Sequence, residues 1–148
     1  MREYVKKMIE DFPEEITKSA TTATVEFIFK TSDNPTVLTE RQKETFHTFV
    51  AKGLCACKRA RPDIQTATPF LTTRVTEPDT DDWKKMCRMM MYLKGTQDLV
   101  LKLSADNSRI LKWHVDASYT IHRNMSSHTG GRLTMGKRTV SGNVVNRN

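Results

Sequence analysis

The chain changes its apolar period once, at Gly95, and that single change limits what it can fold into. Before Gly95, apolar residues recur at spacings of three and four, the repeat of a helix with one buried side. After it they alternate, the repeat of a strand with one covered face. A chain patterned this way is α+β: a helical module followed by an antiparallel meander.

The clearest helix follows Thr39-Glu40-Arg41-Gln42, a capping box whose hydroxyl and amide satisfy amides at a helix start. Phe46, Phe49, Val50, Gly53, Leu54 and Cys57 then share one stripe, with His47 at its boundary. On that stripe Cys55 and Cys57 read as core or surface thiols rather than ligands. Arg61-Pro62-Asp63 breaks this helix and opens a second, since proline is tolerated in a first turn. Ile64, Ala67, Leu71 and Val75 continue the stripe. Pro69 falls inside it, where a helix interior is penalised by roughly 3 kcal/mol or kinks. A third helix starts at Asp79, with Asp81 and Asp82 at the positive end of its dipole and Lys94 near the negative end. Trp83, Met86, Cys87, Met90 and Met91 are expected on its buried side, and Lys84, Lys85 and Arg88 on its exposed side. The methionines read as adaptable core.

Tyr4, Val5, Met8, Ile9 and Phe12 form a short stripe closed by Pro13. From Glu14 to Val37 there is little periodicity. Thr17-Lys18-Ser19-Ala20-Thr21-Thr22-Ala23-Thr24 reads as a linker, and Val25-Glu26-Phe27-Ile28-Phe29 as a short strand or an anchoring patch. Beyond Gly95, strands are expected at Leu99-Val100-Leu101-Lys102-Leu103, at residues 110–119, at Gly131-Arg132-Leu133-Thr134-Met135 and at Thr139-Val140-Ser141. Asp106-Asn107-Ser108 and Gly136-Lys137-Arg138 read as turns.

In the stretch 110–119 alternation puts Leu111, Trp113 and Val115 on one face and Lys112, His114 and Asp116 on the other. Asp116 stands late on the polar face. It is either a metal ligand or a strand-end carboxylate that starts a turn. His114, His122 and His128 place at most two imidazoles on one side, with no cysteine nearby, and zinc takes three or four ligands, so no zinc site is expected.

The net charge of +7 is unevenly distributed. Residues 1–108 are nearly balanced at +1, whereas residues 109–148 carry seven basic side chains against Asp116 alone. Such asymmetry favours an anionic partner, most simply nucleic-acid phosphates; the alternative is a solvated surface that lacks acids. Lys84, Lys85, Arg88, Lys137 and Arg138 are the candidate contacts, although Lys137-Arg138 reads equally as a solvated hairpin tip. Hydrophobic residues make up 37% and no apolar run nears the roughly 18 residues of a membrane helix, so no membrane partner is expected. The first residues lack the apolar core of a signal peptide, and three cysteines in no metal spacing suit a reducing, intracellular compartment.

Arg59-Ala60-Arg61-Pro62-Asp63-Ile64, Trp83, Tyr92-Leu93-Lys94-Gly95-Thr96 and Val115-Asp116-Ala117, in this order and spacing, resemble the polyprotein of copia-type LTR retrotransposons. Phe70-Leu71, His128-Thr129-Gly130-Gly131 and Val140-Ser141-Gly142 are weaker parts of the same pattern, which runs from about Tyr4 to the last residue. The resemblance implies a residual palm-to-thumb segment and linker over 1–38. Residues 39–96 would be the three-helix thumb and connection of a reverse transcriptase, which holds the primer–template. Residues 97–148 would be the first strands of a ribonuclease H-like meander, truncated before its covering helix.

Asp116 matches that fold's first catalytic carboxylate, one of four that hold two Mg²⁺ ions through hard oxygen ligands. The departures are equally specific. No Tyr-x-Asp-Asp occurs, and no Asp or Glu follows Asp116. The expectation is therefore a polyprotein fragment that is inactive by itself and holds no cofactor alone. Its partners would be an RNA–DNA hybrid and the remaining parts of the polyprotein. The alternative is a non-catalytic basic module that binds hybrid or duplex through phosphates.

Overall fold

The Thr39 capping box forms as the sequence specifies: Gln42 Oε1 accepts the Thr39 N–H at 3.1 Å and its hydroxyl at 2.8 Å. From this start runs α2, Glu40–Arg59, the longest helix of a computed structural model that describes residues 1–17, 19–24, 28–31, 34–101, 110–118, 127–135 and 138–147. Around it stand α1 (Arg2–Glu10), a 3-10 turn (Pro62–Ile64), α3 (Ala67–Thr73) and α4 (Thr80–Gly95). The strands are β1 (Leu111–Ser118), β2 (Ser127–Met135) and β3 (Arg138–Arg147). The chain is α+β, and it divides into two compact units, Met1–Leu99 and Val100–Asn148.

One apolar core serves the first unit. Phe46, Phe49, Val50, Ala56 and Cys57 of α2 share it with Phe70 and Leu71 of α3 and with Met86, Met89, Met90 and Leu93 of α4. Met89, absent from the expected stripe, is fully buried because it faces Gly53, where a Cβ would meet its Cε at 3.2 Å. The second helix of the expected three is split: a 3-10 turn ends at Ile64 and α3 restarts at Ala67. That break corrects the expected cost of Pro69. The proline becomes the third residue of α3, within the first turn, where backbone N–H groups have no intrahelical partner.

Residues 1–38 enter the same core through Val5, Met8, Phe12, Ile16, Ala23, Ile28 and Leu38. Phe12 meets Phe49 edge-on at 4.9 Å and lies near-parallel to Trp83 at 6.0 Å. The described part of the segment after α1 thus carries buried apolar anchors, while Lys18 of the expected linker and Val25, Glu26 and Phe27 of the expected strand or anchoring patch lie outside the described residues. Its end is pinned by Leu38 N–H to Pro78 O (3.2 Å) and by Thr80 N–H to Thr36 O (3.0 Å).

Leu99, Val100 and Leu101 form no strand, which corrects the expectation for that stretch. Leu99 N–H turns back to Thr96 O at 3.0 Å, and the three side chains stay between 38% and 50% exposed. Lys102, Leu103 and the turn expected at 106–108 lie outside the described residues.

In the second unit the strands pair antiparallel in the order β1-β2-β3. Trp113 faces Leu133, His114 faces Arg132 and Asp116 faces Gly130 in register. Both later strands are longer than the alternating cores that marked them, and the register shifts once, between Leu133 and Thr134. Trp113 spreads over Gly131, where a Cβ would meet the indole at 2.9 Å.

Candidate functional site

The exposed side expected for α4 is largely covered. The described residues between 14 and 38 make few helix or sheet hydrogen bonds of their own, so their carbonyls need other donors. The cations of α4 supply them. Lys85 Nζ donates to Lys30 O at 2.6 Å, Arg88 Nε donates to Thr22 O at 3.1 Å, and Lys94 Nζ donates to Ile16 O. Lys85 is only 5% exposed, lies 4.7 Å from the centre of the Phe70 ring and pairs with Asp81 at 2.9 Å. Its expected outward placement is therefore corrected: a packed strap covers it, and its charge is neutralised there. Arg88 also reaches Thr22 Oγ1 at 3.1 Å. Lys84 alone of the three remains exposed.

The two most specific helical motifs meet each other. Arg61 is buried and grips Asp63, with Nε at 3.0 Å from Oδ1 and Nη2 at 2.7 Å from Oδ2. The same guanidinium donates to Thr96 O at 3.1 Å and to Thr96 Oγ1, and lies 5.6 Å from the Tyr92 ring. Each residue of Tyr92-Leu93-Lys94-Gly95-Thr96 then has a task. Tyr92 backs the guanidinium, Leu93 is core, and Lys94 holds the strap. Gly95 makes room for Ser19, whose Cβ would sit 2.8 Å from a Cβ at residue 95. Thr96 accepts Arg61. Burial works to raise the Asp63 carboxyl, but hydrogen bonds from Arg61 and Tyr92 hold it below the usual range. This constellation is a clamp that fixes the end of α4 against the turn after α2.

Asp116 stands on β1 with its side chain exposed, and its Oδ1 accepts the Ala117 N–H at 2.9 Å. Sharing its face are His114 and Lys112 on β1 and Arg132 and Thr134 on β2. Thr134 is buried beneath them; its Oγ1 donates to Lys112 O at 3.4 Å and lies 3.4 Å from His114 Nε2. Gly130, directly opposite Asp116, leaves open space, since a Cβ there would have only Asp116 O within reach, at 3.9 Å. The other face carries Leu111, Trp113 and Val115, all about 60% exposed. Sequence reasoning placed Lys112 on the face of Asp116 but did not bring Arg132 to it. Alternation along β1 gave the place of Lys112; that of Arg132 comes only from the pairing of β1 with β2.

Lys137 and His122 lie outside the described residues, while Arg138 and His128 are described through their backbones, at the starts of β3 and within β2. Among the described residues no three His, Cys, Asp or Glu side chains come together as a metal site. Burial pushes the Cys57 thiol up to about 11 and the Cys87 thiol up to about 12, so neither offers a thiolate near neutrality. An open cleft of about 330 Å³ beside α1 is lined by Glu14 and Lys94, and both are already engaged, with Trp83 and with Ile16 O.

No family model, curated protein or solved structure matches this chain. No described helix is long and apolar enough to cross a membrane.

Proposed function

We propose that this chain carries the end of the reverse transcriptase and the opening strands of the ribonuclease H region of a copia-type retrotransposon polyprotein. The supporting observation is the place of Asp116: an exposed carboxylate on the first strand of a three-stranded antiparallel meander, directly after a helical module. In that reading the helical unit belongs to the thumb and connection, and the whole acts on RNA–DNA hybrid inside the cell.

Ribonuclease H chemistry in the complete domain uses Mg²⁺ to position a water and stabilise the leaving oxygen. Asp116 supplies one hard oxygen ligand. One carboxylate does not hold two such ions, so we assign this chain no metal and no hydrolytic step by itself; the remaining ligands belong to other parts of the polyprotein. The deciding experiment has two steps. Coding DNA on both sides is read for an in-frame Tyr-x-Asp-Asp upstream and further acids downstream. The full-length product is then assayed for cleavage of the RNA strand of a hybrid with Mg²⁺. Loss of cleavage in Asp116→Asn supports the reading, and undiminished cleavage overturns it.

The second reading, a basic module that binds hybrid or duplex without chemistry, is favoured by the charge asymmetry after residue 108. Lys84 and the sheet cations are its available contacts, because Lys85 and Arg88 are occupied by the strap.

A further inference from the structure

The start of α4 holds two carboxyl groups that are almost without solvent contact. Asp79, the N-cap, is 2% exposed and Asp82 is 1% exposed. Asp79 Oδ1 accepts the N–H groups of Asp81 at 2.7 Å and Asp82 at 2.9 Å, and its Oδ2 accepts Arg74 Nη2 at 3.3 Å. Asp82 Oδ2 accepts Arg74 Nε at 2.9 Å and the Asp79 N–H at 3.2 Å. Asp82 Oδ1 is buried and has no hydrogen-bond partner among the described residues. One guanidinium thus serves two buried carboxyls, and ionising both would leave a negative charge there without a partner. The positive end of the α4 dipole offsets that charge only in part. Of the neighbouring charged groups, Asp81 pairs with Lys85 at 2.9 Å and Glu77 is exposed, while residues 36–38 bring no charge.

We propose that Asp79 and Asp82 hold one proton between them, on Asp82 Oδ1, and that this proton latches the start of α4 to residues 36–38. Hydrogen bonding selects the atom. A proton on any other oxygen of the pair competes with an N–H donor already there, whereas one on Oδ1 leaves every bond of the cluster in place. An O–H group without an acceptor is also less costly than a bare buried charge. Burial raises the Asp82 carboxyl and the Asp79 charge adds to the rise; the bonds from Arg74 and the Asp79 N–H lower it without reversing the shift. The consequence reaches both neighbours of Asp79. Pro78 O accepts the Leu38 N–H at 3.2 Å, and the Thr80 N–H donates to Thr36 O at 3.0 Å. Loss of the proton places a second charge beside Asp79, and opening this junction to water relieves the repulsion. The latch is closed while Asp82 is protonated and weakens as pH rises through its folded value.

The test follows the full chain by NMR across the acid-to-neutral range, reading the Asp82 carboxyl carbon and the exchange of backbone amides. The carboxyl carbon titrates above the ordinary aspartate value of about 3.9. Between that value and the folded one, protection of the Leu38 and Thr80 amides, corrected for intrinsic exchange, falls about tenfold per pH unit, because opening releases one proton. In Asp82→Asn, which does not ionise, this fall disappears. Both amides exchange faster than Val50 in the middle of α2, since the junction opens without the core. An Asp82 titration at or below about 3.9 overturns the shared proton. Protection at Leu38 and Thr80 that ignores pH, keeps its slope in Asp82→Asn, or matches that of Val50 overturns the latch. If Asp82→Asn does not fold, the carboxyl titration and amide profile of the parent chain decide the matter by themselves.

Discussion

Replacing Arg61 with methionine tests whether the clamp at the end of α4 holds the helical unit together. Methionine keeps the length and apolar stem of the side chain but removes every donor. Asp63 then loses its bidentate partner, and Thr96 O and Oγ1 lose theirs. Removing one member of a buried pair costs about 3–5 kcal/mol. Here Asp63 keeps 23% of its side-chain surface, so water replaces part of the loss and the lower figure, about 3 kcal/mol, applies. For a unit of this size about 1 kcal/mol corresponds to about 4 °C, so the melting temperature falls by about 12 °C. Circular dichroism at the helix band measures it.

The sign with pH follows from Asp63, whose carboxyl is held below its ordinary value. A depressed acid stabilises the fold above its unfolded value, about 3.9, and that contribution is lost as pH falls through the lower folded value. The difference between parent and Arg61→Met is therefore full at pH 7 and shrinks only below about pH 4. A drop of less than about 2 °C at pH 7 would refute the clamp.

Three further outcomes are expected. Gly95→Ala destabilises by about 1–3 kcal/mol because Ser19 Cβ stands 2.8 Å from the added methyl, whereas Gly53→Ala is tight only against the flexible end of Met89, with Thr68 at ordinary contact distance, and changes stability by less than about 1 kcal/mol; urea unfolding of the pair separates them. Asp82 is buried, with Oδ1 lacking a hydrogen-bond partner among the described residues, and burial raises its carboxyl despite the bond from Arg74. The folded state then holds that proton more tightly than the unfolded one, so Asp82 makes stability fall as pH rises from the unfolded value through the folded one; Asp82→Asn removes that part of the slope in a stability–pH profile. Finally, native chain at pH 7.5 exposes no reactive thiol at Cys57 or Cys87, and both label with iodoacetamide only after denaturation, as peptide mapping would show.

Much of the architecture was legible because it depends on local chemistry. The Thr39 box, the α2 stripe and the alternation from residue 111 are short-range patterns, and each produces the element it specifies, whereas Leu99 to Leu101 form no strand. The faces of β1 are equally local: alternation by itself separates Trp113 from Asp116. What the chain could not disclose is what covers each face. Lys85 and Arg88 have the spacing of a solvated helix side, yet a strap without periodicity lies over them and uses their charges to satisfy its carbonyls. Pro69 looked costly until the turn at Ile64 restarted the helix two residues before it.

The sequence determined where α2, α4 and β1 begin, which residues share a face of β1, and that Asp116 and the basic charge lie in the same stretch. Tertiary structure decided the rest. Arg61-Pro62-Asp63 and Tyr92-Leu93-Lys94-Gly95-Thr96 are separate in the chain, and only folding brings one guanidinium within reach of both. Arg132 acquires its place beside His114 through strand register, a pairing across the sheet that no local pattern encodes. Local patterns fix a residue's orientation on its own element, whereas partners distant in sequence are fixed by packing, where burial and unpaired polar groups select one arrangement.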